Sequence, residues 1–130
     1  MTNIHIVDAN VILRYLLADH AVHHQKAKAF LNEVREGSSA AFFPETVIAE
    51  CVYVMQRIYQ IPRAEIAEKL SGLLSFRGVE GHEPLLQVRA LQLYAERNLS
   101  FVDALIAVTA KENHWSIQTF DQDLIKWAND

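Results

Sequence analysis

The sequence predicts an α/β fold in which a parallel sheet is covered by helices on both faces. Two observations carry that prediction. Short apolar runs of strand length recur along the chain, and one or two longer helix-like stretches separate each from the next. The longer stretches place apolar residues at the three-to-four spacing of an amphipathic helix. Composition agrees: 51% of the 130 residues are hydrophobic, with four Gly and three Pro, which excludes disordered and low-complexity classes.

The elements follow in order. IHIVD at 4–8 reads as a strand running into the core, and a short helix follows over about 10–18. A second helix spans 22–36 and stops at Gly37, with Gln25, Lys26, Lys28, Asn32, Glu33 and Arg35 interleaved among Ala27, Phe30, Leu31 and Val34. AAFF at 40–43, bounded by Ser38-Ser39 and Pro44, reads as a buried strand. Pro44 opens a helix over 45–59, whose apolar face is Ile48, Cys51, Val52, Met55 and Tyr59. Pro62 opens the next, 62–75, before Arg77-Gly78. A brief strand at 78–82, a helix from Pro84 to 97 and another over 101–114 come next. WSIQTF reads as a fourth strand and DQDLIKWAND as a closing helix. With no linker, repeat or composition break, residues 1–130 form a single expected domain.

Charge and cysteine content narrow the function. The net charge of −4 lacks the Lys/Arg excess of a general nucleic-acid binder, so a nucleic-acid partner would need something else, such as a bound cation, to bring it in. The single Cys51 excludes an internal disulfide and multi-cysteine metal motifs, which suits a reducing compartment. The N-terminus lacks a basic region followed by a long apolar one, and no greasy run approaches a membrane span. The expected location is the cytoplasm.

Four acids stand in apolar settings. Asp8 and Asp121 each end a predicted strand, where parallel α/β sheets bind ligands, and they become neighbours if the first and fourth strands pair. Glu50 lies in a helix, pointing away from its apolar face in a sector shared with Tyr53, Val54 and Arg57. Asp103 starts a helix apolar on most sides. Each has a structural role open to it as well. Asp8 and Asp121 suit helix N-caps, Glu50 a solvated position, and Ser100 to Asp103 a capping box. Brought together, like charges about 4 Å apart repel by about 4 kcal/mol per pair at an effective dielectric of about 20. Such a cluster needs protons or a cation. All-oxygen donors select Mg²⁺ or Mn²⁺, the ions of metal-assisted phosphodiester hydrolysis.

At these residues the sequence resembles the PIN-domain ribonucleases, and more narrowly the VapC-type toxins of bacterial toxin–antitoxin pairs. IVDANVILRYLL, PETVIAECVYVM and LSFVDALIAVTAKENHWSIQTFDQDL carry the resemblance, which runs along essentially the whole chain. It implies a three-layer α/β/α fold with a central parallel sheet of four or five strands. It makes Asp8, Glu50, Asp103 and Asp121 the catalytic, Mg²⁺- or Mn²⁺-holding set, with Asn10 and Thr119 in support and Asp123 a further candidate ligand. It also implies an RNA substrate, an antitoxin partner and a homodimer.

Rival readings are testable. An aspartyl phosphotransferase would want a second Asp at the position Asn10 holds, and a receiver domain would want a late strand-end Lys. A nuclease-dead binding module is the non-enzymatic alternative. His20 and His24 have the spacing of a helical zinc pair but no evident third ligand. Trp115 and Trp127 read as core or interface anchors.

Overall fold

The computed structural model describes residues 3–17, 21–81 and 83–128. Its elements are β1 (Ile4–Ile6), α1 (Ala9–Leu17), α2 (Ala21–Glu36), β2 (Ala40–Phe42), α3 (Glu45–Arg57), α4 (Arg63–Leu74), β3 (Val79–Glu80), α5 (Pro84–Glu96), α6 (Phe101–Asn113) and α7 (Gln122–Ala128). His20 and His82 lie outside the described residues, and with His20 the expected zinc pair.

The three strands form one parallel sheet in the order β1-β2-β3, with Ile4 opposite Ala40 and Ala41 opposite Val79. The α/β class is therefore observed, with helices flanking the sheet. Two glycines make its close turns possible. Gly37 adopts φ +90 at the end of α2, where its N–H and that of Ser38 both donate to the Glu33 carbonyl. A Cβ on Gly78 would sit 2.1 Å from the Ser39 carbonyl oxygen, so only glycine lets β3 start against the α2–β2 turn.

The helix starts follow their local chemistry. Pro44 and Pro62 precede α3 and α4 in extended conformation, Pro84 stands in the first turn of α5, and the Ser100 hydroxyl accepts the Asp103 N–H at 3.1 Å. The expected apolar face of α3 is the core: Ile48, Cys51, Val52 and Met55 are all buried. Tyr59 is not, because α3 ends at Arg57 and the chain turns through Gln60 at φ 55. Leu31, Ile66, Leu70, Leu91, Tyr94 and Phe101 complete that core around α3. Burying side chains of this size contributes about 1.5–3 kcal/mol each, against the entropy of ordering them.

Two expectations need correction. β1 does not run through the interior: it is an edge strand, with Ile4 and Ile6 exposed and only Val7, just beyond it, buried. The expected fourth strand is absent, and among the described residues the sheet has three strands rather than four or five. Residues 115–120 have extended-type composition but no ladder partner. His114, in left-handed conformation, turns the chain out of α6, and Trp115, Ser116 and Ile117 run beside Ile106 and Thr109 instead of reaching β1. Phe120 is left 96% exposed. Trp115 is exposed too, so within this chain it anchors no core.

Candidate active site

Asp8 leaves the sheet at its carboxyl end. The N–H of Val7 donates to the Phe42 carbonyl at 3.1 Å, extending the β1–β2 pairing to the residue before the acid. Asp8 then turns the chain into α1: its carboxylate accepts the Ala9 N–H at 2.8 Å and its carbonyl accepts the Val11 N–H. The carboxylate thus bonds the adjacent N–H rather than that of N2 or N3, so the N-cap geometry read from the sequence is not the one found. The free N–H groups of the α1 start still favour a negative charge there. Beside it opens a cleft of about 520 Å³, lined by Asp8, Asn10, Arg14, Lys26 and Phe30 among others. Its walls are mostly apolar.

Glu50 lies on the exposed side of α3, as the helical projection requires. Its neighbour Cys51 shows where that helix sits. The fully buried thiol donates to the carbonyl of Ala9, 3.9 Å away and adjacent to Asp8 in sequence. Burial pushes the Cys51 thiol up to about 12, and the negative charges of Glu50 and then Asp8 push in the same direction. One buried sulfur therefore feels both carboxylates. Two acids 42 residues apart stand on either side of the α1–α3 contact.

Asp103 is in the first turn of α6, half-buried, with its N–H held by Ser100. Asp121 caps α7: its carboxylate accepts the N–H groups of Asp123 and Leu124 at 2.9 and 3.2 Å. Thr119 supports it directly, since its hydroxyl accepts the Asp121 N–H at 3.0 Å. Asp123 lines a separate cleft with Arg97, Asn98 and Lys126.

By chemistry this donor set fits a hard divalent cation, being carboxylates with the Asn10 amide lining the same cleft as Asp8. By position it is gathered only in part. Asp8 and Glu50 share a neighbour, but no three His, Cys, Asp or Glu side chains among the described residues are grouped closely enough to hold a metal ion.

One residue that the sequence reading passed over supports this region. Arg63, at the start of α4, donates from Nη1 to the carbonyls of Leu99 at 2.6 Å, Tyr94 at 2.9 Å and Arg97 at 3.3 Å. Its guanidinium also lies 4.4 Å over the Tyr94 ring. The Tyr94 hydroxyl in turn donates to Gln56 of α3 at 2.6 Å. Arg63 thereby ties down the α5–α6 turn that leads into Ser100 and Asp103. Its partners are 31–36 residues away, so no local pattern announces it.

Comparison with known proteins bears on the same residues. Residues 5–129 match the PIN domain family. A VapC ribonuclease of Aquifex aeolicus (strain VF5) is 29% identical over 109 residues, which are 82% of this chain and 78% of that protein. A match that runs from β1 through α7 takes in all four acids, and the chain belongs to the PIN-domain family.

Proposed function

We propose that the protein is a metal-dependent endoribonuclease that hydrolyses phosphodiester bonds of single-stranded RNA, acting as the toxin of a VapBC-type pair. The observation that carries this reading is the Cys51–Ala9 contact between α3 and α1, which joins the sequence neighbours of Glu50 and Asp8, in a chain of the PIN family. The similarity to a VapC ribonuclease supports both the substrate class and an antitoxin partner. On this reading Asp8, Glu50, Asp103 and Asp121 hold Mg²⁺ or Mn²⁺, with Asp123 as an additional ligand. When bound, the metal supplies an activated water and stabilises the leaving oxygen. Asn10 orients the first carboxylate, and Thr119 fixes the backbone from which Asp121 projects. The active form is a homodimer in the cytoplasm. No helix among the described residues is long and apolar enough to cross a membrane.

A second reading has its own observation. The incomplete gathering of the acids favours a catalytically silent PIN module that binds RNA or protein. A housekeeping RNA-processing nuclease with no antitoxin is the enzymatic variant of the proposal. One experiment separates catalysis from binding: incubate the pure protein with structured and unstructured RNAs, with Mg²⁺, with Mn²⁺ and with excess chelator. The proposal expects cleavage that chelation abolishes and that Asp8→Asn and Asp103→Asn each remove. Cleavage surviving chelation refutes the metal mechanism, and RNA binding without cleavage across a broad panel establishes the silent module. Co-purification with the product of an adjacent short reading frame tests the toxin assignment.

A further inference from the structure

Along the exposed side of α3, Glu50, Tyr53 and Arg57 fall within a 60° sector of the helix at about 100° per residue. The start of α6 lies opposite. Ala49, Tyr53, Gln56 and Arg57 form one wall of a groove of about 240 Å³, and Ser100 and Val102 form the other. In sequence, Glu50 follows the lining residue Ala49 on α3, and Asp103 follows the lining residue Val102 on α6.

Its chemistry is specific. The Tyr53 ring is 62% exposed although it is a large aromatic on a packed helix. Arg57, one helical turn further on, is exposed and has no ion pair among the described residues. Arg63 also lines the groove, but its guanidinium is committed to three backbone carbonyls and to Tyr94. Arg63 shapes the wall, and Arg57 is the cation turned to solvent. An exposed aromatic face beside an available guanidinium matches one nucleotide of a single strand, its base stacked and its phosphate paired. In a chain with net charge −4, this local pairing supplies the attraction that the overall charge does not.

We propose that the groove between α3 and the start of α6 is a subsite for one nucleotide of a single-stranded RNA, with Tyr53 as the stacking surface and Arg57 as the phosphate contact. The subsite rests on the ribonuclease reading for its role, but its binding is measured without catalysis. The occupant is RNA rather than a second protein copy because the exposed aromatic residue comes with an exposed guanidinium on the same helix face.

The test is fluorescence anisotropy of a labelled unstructured RNA on the full chain, in excess chelator, across a salt series. Tyr53→Ala weakens binding by about 5- to 150-fold, while Tyr53→Phe and Tyr53→Trp retain it. Arg57→Ala lowers the slope of log K against log salt by about 0.7, one single-strand phosphate contact. Thermal unfolding of each variant confirms that these exposed substitutions leave the fold intact. Wild-type affinity and salt slope in both alanine variants overturn the subsite. So does a Tyr53→Ala protein that changes oligomeric state with RNA affinity unchanged, which assigns the face to a second copy. If the wild type binds RNA without cutting it and Tyr53→Ala weakens binding, the subsite stands and the nuclease reading falls. If it cuts RNA and the variants bind normally, only the subsite falls.

Discussion

Replacing Arg63 by Met tests how the fold holds the approach to Asp103. The carbonyls of Tyr94 and Arg97 lie at the C-terminal end of α5, where no following turn supplies their donors. Arg63 satisfies them from outside, and its positive charge stands at the negative end of the α5 dipole. A single Nη1 carries two N–H bonds, so the short contacts to Leu99 and Tyr94 are the effective ones and the 3.3 Å contact to Arg97 is shared. Charge-assisted hydrogen bonds contribute about 1.5–3 kcal/mol each when buried. Arg63 is only half-buried, so about 1 kcal/mol apiece is the better figure, and stacking over Tyr94 adds about 0.5–1 kcal/mol. Arg63→Met, which keeps most of the apolar stem, should therefore cost about 2–3 kcal/mol. In a domain of this size that lowers Tm by about 10 °C. Urea unfolding at unchanged m-value is the assay. Arg63→Lys should recover part of the loss, since an ammonium donates to one or two carbonyls but cannot stack as a planar group. A loss below about 0.5 kcal/mol in Arg63→Met would refute the claim that this residue holds the α5–α6 turn.

Four other outcomes follow from the same geometry. Gly78→Ala should destabilise by at least about 2 kcal/mol in urea unfolding, because the new Cβ meets the backbone oxygens of Ser39 and Val34 rather than the end of a flexible side chain. Ser100→Ala should cost about 1 kcal/mol by losing the α6 cap, with Ser100→Asp restoring most of it. Cys51 is held protonated up to about 12, above its ordinary 9.0, so unfolding releases its proton first; the stability contributed by the neutral buried thiol is complete below pH 9 and disappears as pH rises toward 12. The stability gap between wild type and Cys51→Ala, measured by denaturant unfolding, should narrow across that window. Mn²⁺ should raise Tm in the wild type, by a mass-action increment that grows with its concentration, and should do so less in Asp8→Asn and Glu50→Gln; an increment unchanged in both variants would exclude them as ligands.

What could be read from the sequence, and what could not, divides along a physical line. The α3 face was legible because a helix repeats its own periodicity: Ile48, Cys51, Val52 and Met55 are buried wherever the helix docks. The Ser100 cap was legible for the same reason, as its partner is three residues away. A strand has no such independence. WSIQTF has strand composition, but a strand exists only when another edge accepts its backbone, and that depends on where α6 delivers the chain. The same dependence explains β1, whose IHIV looks like an interior strand and is an edge because nothing pairs on its far side among the described residues. The site follows this division. Residues 8, 50, 103 and 121 are candidates by residue type and by family resemblance. The Asp121 cap, the Asp103 N–H held by Ser100 and the exposed position of Glu50 are found, while the Asp8 carboxylate bonds the adjacent Ala9 N–H. Their mutual approach is a tertiary quantity. For Asp8 and Glu50 the link is the buried Cys51 thiol, next to Glu50 in sequence, which donates to the carbonyl of Ala9, next to Asp8. Asp121 stands just past residues 115–120, which pair with no strand, so its position relative to Asp8 follows from where α6 delivers the chain rather than from a ladder. Changing the partner of six residues moves one carboxylate without altering any of the local signals that identify it.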